Sequence, residues 1–247
     1  MYCGTIYEEE PSVLDEILDY TEADVTGDGQ EEKIYLMGKR PYNDGREFIS
    51  NMYIRMKDGH TQKETIIPMK VNKGYAPKLF IGDFDKNGIN DIMVTFYKGG
   101  SGGYNFAYIF STWKNEPELI FDTEQFNEEF GGNVKYEDGH KVRVSTTKPK
   151  KEYVLDISED EKAYLDWLYD EEGYLKTTQE GEILELGGLY PTNYNQTDNY
   201  DLRAVQRVTG MNLTDTLGLL ETFLEWNSLA QQFEVIAQYL SVYGKDI

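Results

Sequence analysis

Ile81-Gly82-Asp83-Phe84-Asp85-Lys86-Asn87-Gly88-Ile89-Asn90-Asp91-Ile92-Met93-Val94 is the stretch on which the reading of the whole chain turns. Counted from Asp83, oxygen-bearing side chains fall at positions one, three, five and nine (Asp83, Asp85, Asn87, Asp91), with Gly88 at position six. A loop that wraps a cation bends most sharply at that sixth place, where glycine takes a left-handed backbone without steric cost. No sulfur or imidazole lies in the loop, so the donor set is that of a hard cation, Ca2+ rather than zinc or copper. An EF-hand opens with the same run but closes with a glutamate at position twelve, where this chain has Val94. Ile92 to Tyr97 are β-branched, apolar or aromatic, so the loop is expected to join two strands and not two helices.

The same spacing occurs about 60 residues earlier. In Asp24-Val25-Thr26-Gly27-Asp28-Gly29-Gln30-Glu31-Glu32, the residues Asp24, Thr26, Asp28, Gly29 and Glu32 take positions one, three, five, six and nine. An eroded third copy places Asn193, Asn195, Thr197 and Asp201 at positions one, three, five and nine, with Asp198 where glycine belongs. It is expected to be a metal-free turn or a weak site. A further copy would fall near Asp138, where Tyr136-Glu137-Asp138-Gly139-His140 reads as a tight hairpin turn instead.

What lies between the loops repeats as well. Tyr104–Thr112, Trp113-Lys114-Asn115 and Leu119-Ile120-Phe121 correspond to Leu219–Glu225, Trp226-Asn227 and Phe233–Ile236, and to Asn51–Met56, Lys57-Asp58-Gly59 and Glu64–Ile67. Each unit is therefore expected to be a meander of about four strands, with the tryptophans packed between sheets. The third unit is irregular. Lys141–Thr147 and Lys151–Ile157 read as strands, but residues 159–170 carry a capping-box start and helical spacing and are expected to form an inserted helix. Pro11–Tyr20 reads as a short helix or the lead-in to a strand, and Leu217–Leu240 as two strands.

Composition excludes some partners. With 45 acidic against 24 basic residues the net charge is −21, which repels phosphate backbones and anionic lipid, so nucleic-acid binding is not expected. One cysteine, Cys3, allows no internal disulfide. Neither an apolar run long enough to span a membrane nor a signal peptide is visible, so no membrane insertion is expected. Cys3-Gly4 near the N-terminus is compatible with the remnant of a lipid-anchoring cysteine, although no lipobox precedes it. Loops of this kind fill best at millimolar free calcium, which points to an extracellular or cell-surface location.

Asp83 to Asp91 matches the D-x-D-x-D/N-G-x-x-D loop of the FG-GAP/VCBS repeat family at every ligand position, and Asp24 to Glu32 departs from it at Thr26 and at its terminal Glu32. The chain thus resembles that family of calcium-loop repeats, found in integrin α-subunits and in many bacterial surface proteins. The resemblance implies an all-β fold: a small β-propeller of about four blades, five being the alternative, with each calcium loop joining the first two strands of a blade. The blades would fall near residues 17–70, 77–124, 131–185 and 186–243 of a single domain over 1–247, closed by an N-terminal strand pairing with the last blade. It also implies one or two Ca2+ ions, with the backbone carbonyls of Gln30 and Ile89 at position seven completing the two shells.

Catalytic sets are sparse. No nucleophile elbow, zincin, P-loop or dinucleotide fingerprint is present. His60 and His140 both follow Asp-Gly turns and are expected to be exposed. Gly99-Gly100-Ser101-Gly102-Gly103 reads as a hairpin tip, or as a backbone platform for a partner flanked by Tyr97 and Tyr104. The expected role is a non-enzymatic, calcium-stabilised interaction or adhesion module of a bacterial surface or secreted protein, binding a protein or a carbohydrate. The alternatives are a glycan-acting hydrolase, which needs two carboxylates converging in a pocket, and a structural subunit that assembles through exposed strands.

Overall fold

Side chains alternate with a period of two through most of the chain, and the structure turns that alternation into strands. In Lys141–Thr146, for example, Val142, Val144 and Thr146 are buried while the intervening residues are more exposed. The computed structural model describes residues 15–42, 47–100, 102–193 and 197–244. The strands are β1 (Glu16–Ala23), β2 (Glu32–Lys39), β3 (Phe48–Lys57), β4 (Glu64–Pro68), β5 (Gly74–Gly82), β6 (Asp91–Tyr97), β7 (Asn105–Ser111) and β8 (Glu118–Asp122). They continue as β9 (Gly132–Glu137), β10 (Lys141–Thr146), β11 (Glu152–Asp156), β12 (Glu180–Thr192), β13 (Asp201–Thr209), β14 (Thr216–Asn227) and β15 (Gln232–Ser241). Two short helices interrupt them, α1 (Thr123–Glu129) and α2 (Lys162–Leu168).

The protein is thus predominantly β, and its strands pair as antiparallel meanders: β1 to β4, β5 to β8, β9 to β11 and β12 to β15. The first, second and fourth meanders have the four strands expected of a unit; the third has three, followed by α2, and β12 runs across the boundary expected between residues 185 and 186. The expected helix over 159–170 is α2, and Leu217–Leu240 is indeed strand, β14 and β15. The described end of the Pro11–Tyr20 stretch belongs to β1; Cys3 and residues 11–14 lie outside the described residues, as do Ser101 and Asn195. No helix among the described residues is long and apolar enough to cross a membrane.

The meanders are not separate blades. Phe48 and Ile49 of β3 pair with Tyr75 and Gly74 of β5, which merges the first two units into one eight-stranded sheet. Glu180 and Gly181 of β12 pair with Lys135 and Val134 of β9, merging the other two into a sheet of seven. The first sheet curls so that β1 lies along β5, where the Leu79 N–H donates to Asp19 Oδ2 at 2.9 Å.

Three cores order the units. β6 and β7 are buried on both faces: Ile92, Val94, Phe96, Phe106, Tyr108 and Phe110 face a core shared with the first unit. Met93, Ala107 and Ile109 face a core shared with Leu186, Leu202 and Leu224 of the fourth. A third core joins the third and fourth units through Val134, Val144, Ile183 and Val208. The packing order is therefore first, second, fourth, third. A propeller ring would need the second unit against the third and the last against the first, and no core among the described residues makes either junction. At the junction of the second and fourth units sits α1, which the sequence reading missed. Asp122 caps it by accepting from the Glu124 N–H at 2.8 Å, and Phe126 and Phe130 stack at 4.4 Å inside the second core. β12, and not β9, then lies against β7.

Candidate metal centre

Each cation loop grows out of a strand pair, as expected: residues 24–31 join β1 to β2 and residues 83–90 join β5 to β6. Both loops are held by the same internal bonds. The position-one carboxylate accepts loop N–H groups, Asp24 from Gly27 (2.7 Å) and Gly29 (2.9 Å), Asp83 from Asn87 (3.2 Å) and Gly88 (3.0 Å). The position-nine carboxylate accepts the N–H of position two, Glu32 from Val25 at 3.0 Å and Asp91 from Phe84 at 2.8 Å. Gly29 and Gly88, at position six, have φ of 84° and 85°, the left-handed bend that the spacing anticipates.

In the second loop, carboxylate oxygens of Asp83, Asp85 and Asp91 all lie within 4.8 Å of one another. Asp91 is 1% exposed, and its Oδ1 has no hydrogen-bond partner. The Ser111 hydroxyl donates to Asp85 Oδ2 at 3.2 Å and also lowers the Asp91 carboxyl against its burial. Burial, followed by the Asp85 charge, pushes the Asp91 carboxyl up to about 7, and burial also raises Asp85. Three crowded carboxylates with an orphaned buried oxygen are costly unless a cation shares the site. The residues fit a hard divalent ion: Asp83, Asp85, Asn87 and Asp91 would hold it by side-chain oxygens, and what it would supply is charge compensation and a fixed bend. The Ile89 N–H donates to Asn87 Oδ1 at 2.7 Å, and the Ile89 carbonyl stands at position seven, where a cation in this loop would take a backbone ligand.

The first loop gathers a different set. Asp28 and Glu32 converge within 4.8 Å of Asp58, while Asp24 lies outside that trio. Asp58 stands in the hairpin after β3, a residue whose role the loop spacing could not disclose; its only sequence signal is the Lys57-Asp58-Gly59 turn. Thr61 N–H and hydroxyl donors hold the Asp58 carboxyl below its usual range, whereas burial raises fully buried Glu32 against the pull of the Val25 and Gly59 N–H groups. Thr26 is buried with its Oγ1 unpartnered, and the Gln30 N–H caps Asp28 Oδ1 at 2.8 Å. Each loop thus has one buried oxygen without a hydrogen-bond partner, a hydroxyl at Thr26 here and a carboxylate oxygen at Asp91 in the second loop, and the charged one is the more in need of a cation.

One turn ties the loops together. After β7, Ser111 bonds Asp85, the Thr112 hydroxyl donates to the Val25 carbonyl at 2.6 Å, the Lys114 N–H donates to the Thr26 carbonyl at 3.0 Å, and Asn115 Nδ2 donates to Asp58 Oδ2 at 3.2 Å. Trp113, in the single 3₁₀ turn Trp113–Asn115, is 51% exposed, contrary to the packing expected of it. Trp226 is buried against Phe233 at 5.1 Å.

The third loop holds a cation of the protein's own. Its described part is bonded from Thr197 N–H to Asn193 Oδ1 at 3.0 Å, and the Tyr200 N–H reaches the Asp83 carbonyl at 2.7 Å. Lys86, from position four of the second loop, places Nζ 3.3 Å from Asp201 Oδ1 and 2.5 Å from Glu225 Oε1. Burial pulls the Lys86 ammonium down, but Glu225 and Asp201 outweigh it and the net shift is upward. Lys86→Met should cost about 2 kcal/mol in urea unfolding, less than the roughly 3–5 kcal/mol of a fully buried pair because Glu225 is half in water. A loss below about 0.5 kcal/mol would show that the ammonium does not balance Asp201.

The two histidines differ from expectation in one case. His60 is exposed, whereas the His140 ring is part-buried against Tyr169 at 4.5 Å.

Comparison with known proteins gives the chain its relatives. The YybI C-terminal domain family matches residues 130–241, a span that begins just before β9 and ends with β15, the whole second sheet. "Uncharacterized protein YybI" of Bacillus subtilis (strain 168) is 34% identical over 227 residues, covering 92% of this chain and 85% of that protein. No solved structure matches. These findings overturn the FG-GAP/VCBS resemblance. A nine-residue oxygen-rich bend between two strands is a local motif, and it does not by itself specify the family whose repeats contain it. Across most of its length and through its second sheet, the chain belongs to the YybI family.

Proposed function

We propose that this protein is a calcium-stabilised, non-enzymatic interaction module that acts outside the cell or at its surface. One observation carries the reading: the buried Asp91 oxygen without a donor, facing Asp83 and Asp85. Hard-cation chemistry answers that arrangement, and sites of this ligand type fill at the calcium levels found outside cells. The close convergence of the carboxylates favours metal over hydrolysis. Their oxygens lie within 4.8 Å, tighter than the separation of about 5–9.5 Å that leaves room for a sugar and a water between two catalytic acids.

Isothermal titration of the metal-stripped full chain with calcium tests the reading. Saturable binding of one or two ions is expected, and Asp91→Asn should remove the tighter event. Absence of heat and of binding at millimolar calcium would overturn it.

A further inference from the structure

A cleft of about 660 Å³ opens directly onto the second loop. Asp85, Asn87 and Ser111 line it from the loop side, Trp113 and Lys114 from the connecting turn, and Trp226 with Gln231 from the fourth unit. We infer that this cleft is a binding site for a neutral oligosaccharide, held by a calcium ion in the second loop and by the Trp113 indole. The inference rests on the cation reading above.

Three features specify that ligand. First, Asp83 and Asp91 are buried beneath the site while Asp85 and Asn87 reach the cleft wall. Calcium takes six to eight oxygens; Asp83, Asp85, Asn87, Asp91 and the Ile89 carbonyl would supply five if each gave one, and the one to three places left over would be open to hydroxyls entering past Asp85 and Asn87. Second, Trp113 is 51% exposed beside that wall, and an indole in a wet cleft offers the flat apolar surface on which the C–H face of a sugar packs. Third, acidic groups outnumber basic ones along the cleft, Asp85, Glu116 and Glu118 against Lys86 and Lys114. Lys86 is taken by Asp201 and Glu225, Glu116 and Glu118 add acceptors to the rim, and Lys114 Nζ lies 4.0 Å over the Trp113 ring, a contact that a stacked sugar would flank or displace. On a protein of net charge −21 an anionic ligand is repelled, whereas hydroxyls donate to the carboxylates at no charge cost.

The test uses the full chain loaded with calcium, titrated with cellotetraose, mannotetraose and chitotetraose and followed by tryptophan fluorescence and calorimetry. At least one sugar should bind saturably, lose its binding in EDTA, and bind about tenfold more weakly to Trp113→Ala. Trp113→Phe should recover part of the affinity, which separates stacking from a damaged turn. Calcium should still raise the melting temperature of both variants. If calcium binds and stabilises the protein but none of the three sugars binds up to about 10 mM, the inference falls and the cation reading stands. If a sugar binds equally well in EDTA, or if an oligolysine peptide occupies the cleft instead, the inference also falls. Failure of calcium itself to bind would remove both.

Discussion

Stripping divalent ions from the protein with EDTA should lower its melting temperature by about 5–10 °C, and millimolar calcium should restore it. An ion at a hundred times its dissociation constant stabilises by about 2.7 kcal/mol, and each kcal/mol shifts a domain of this size by about 2–4 °C. The effect should depend on pH in a defined direction. Burial and crowding raise the Asp91 carboxyl to about 7 in the ion-free fold, and Asp85 and Glu32 rise as well. A carboxyl whose folded pKa exceeds its unfolded value, about 3.9 for aspartate, binds more protons in the folded state between the two values. The stability this contributes to the ion-free protein is complete near pH 4 and lost as the pH rises toward 7. The ion-bound protein keeps the carboxylates charged and compensated, so the gain from calcium should be largest near pH 8 and smallest near pH 5. Scanning calorimetry with and without EDTA at both values checks this. Equal gains at the two values would mean that the three carboxylates do not hold the ion.

Phe84→Ala should destabilise the protein by about 3–5 kcal/mol, the range for removing a fully buried aromatic side chain. Phe84 is 0% exposed and stands between two of the candidate ligand aspartates, with its ring 6.0 Å from Phe80 and 5.9 Å from Tyr200. The side chain anchors the second loop in the core shared by the second and fourth units, while its own N–H fixes Asp91. The substitution should therefore also weaken calcium binding, although it removes no oxygen. Urea unfolding and calcium titration of the same variant check both effects. A stability loss with unchanged calcium affinity would show that the loop keeps its shape without the core beneath it.

How much of this was written in the chain depends on distance along it. The loops and meanders were legible because a nine-residue bend and a pair of flanking strands are decided locally, by glycine at position six and by alternation around it. Which meander packs on which was not, because β6 carries apolar side chains on both faces, and nothing local says that Met93 meets Leu202 and Leu224 of the fourth unit. Asp58 escaped for the same reason: it approaches Asp28 and Glu32 only once β2 and β3 have paired. α1 is a true omission, since Asp122 as a cap and the four-residue spacing of Phe126 and Phe130 were there to be read. The family assignment failed because a short ligand pattern was asked to speak for more than two hundred residues.

The end of β7 and the short connector after it make hydrogen bonds to both carboxylate clusters and their loops, through Ser111 on one side and Thr112, Lys114 and Asn115 on the other. Whatever order an ion would impose on one bend would thereby be handed to the neighbouring bend, leaving its chain partly arranged for an ion of its own. Were both bends to take calcium, the pair would fill over a narrower range of concentration than two unlinked loops, a threshold response resting on four polar contacts, two of which end on the candidate ligand carboxylates Asp85 and Asp58.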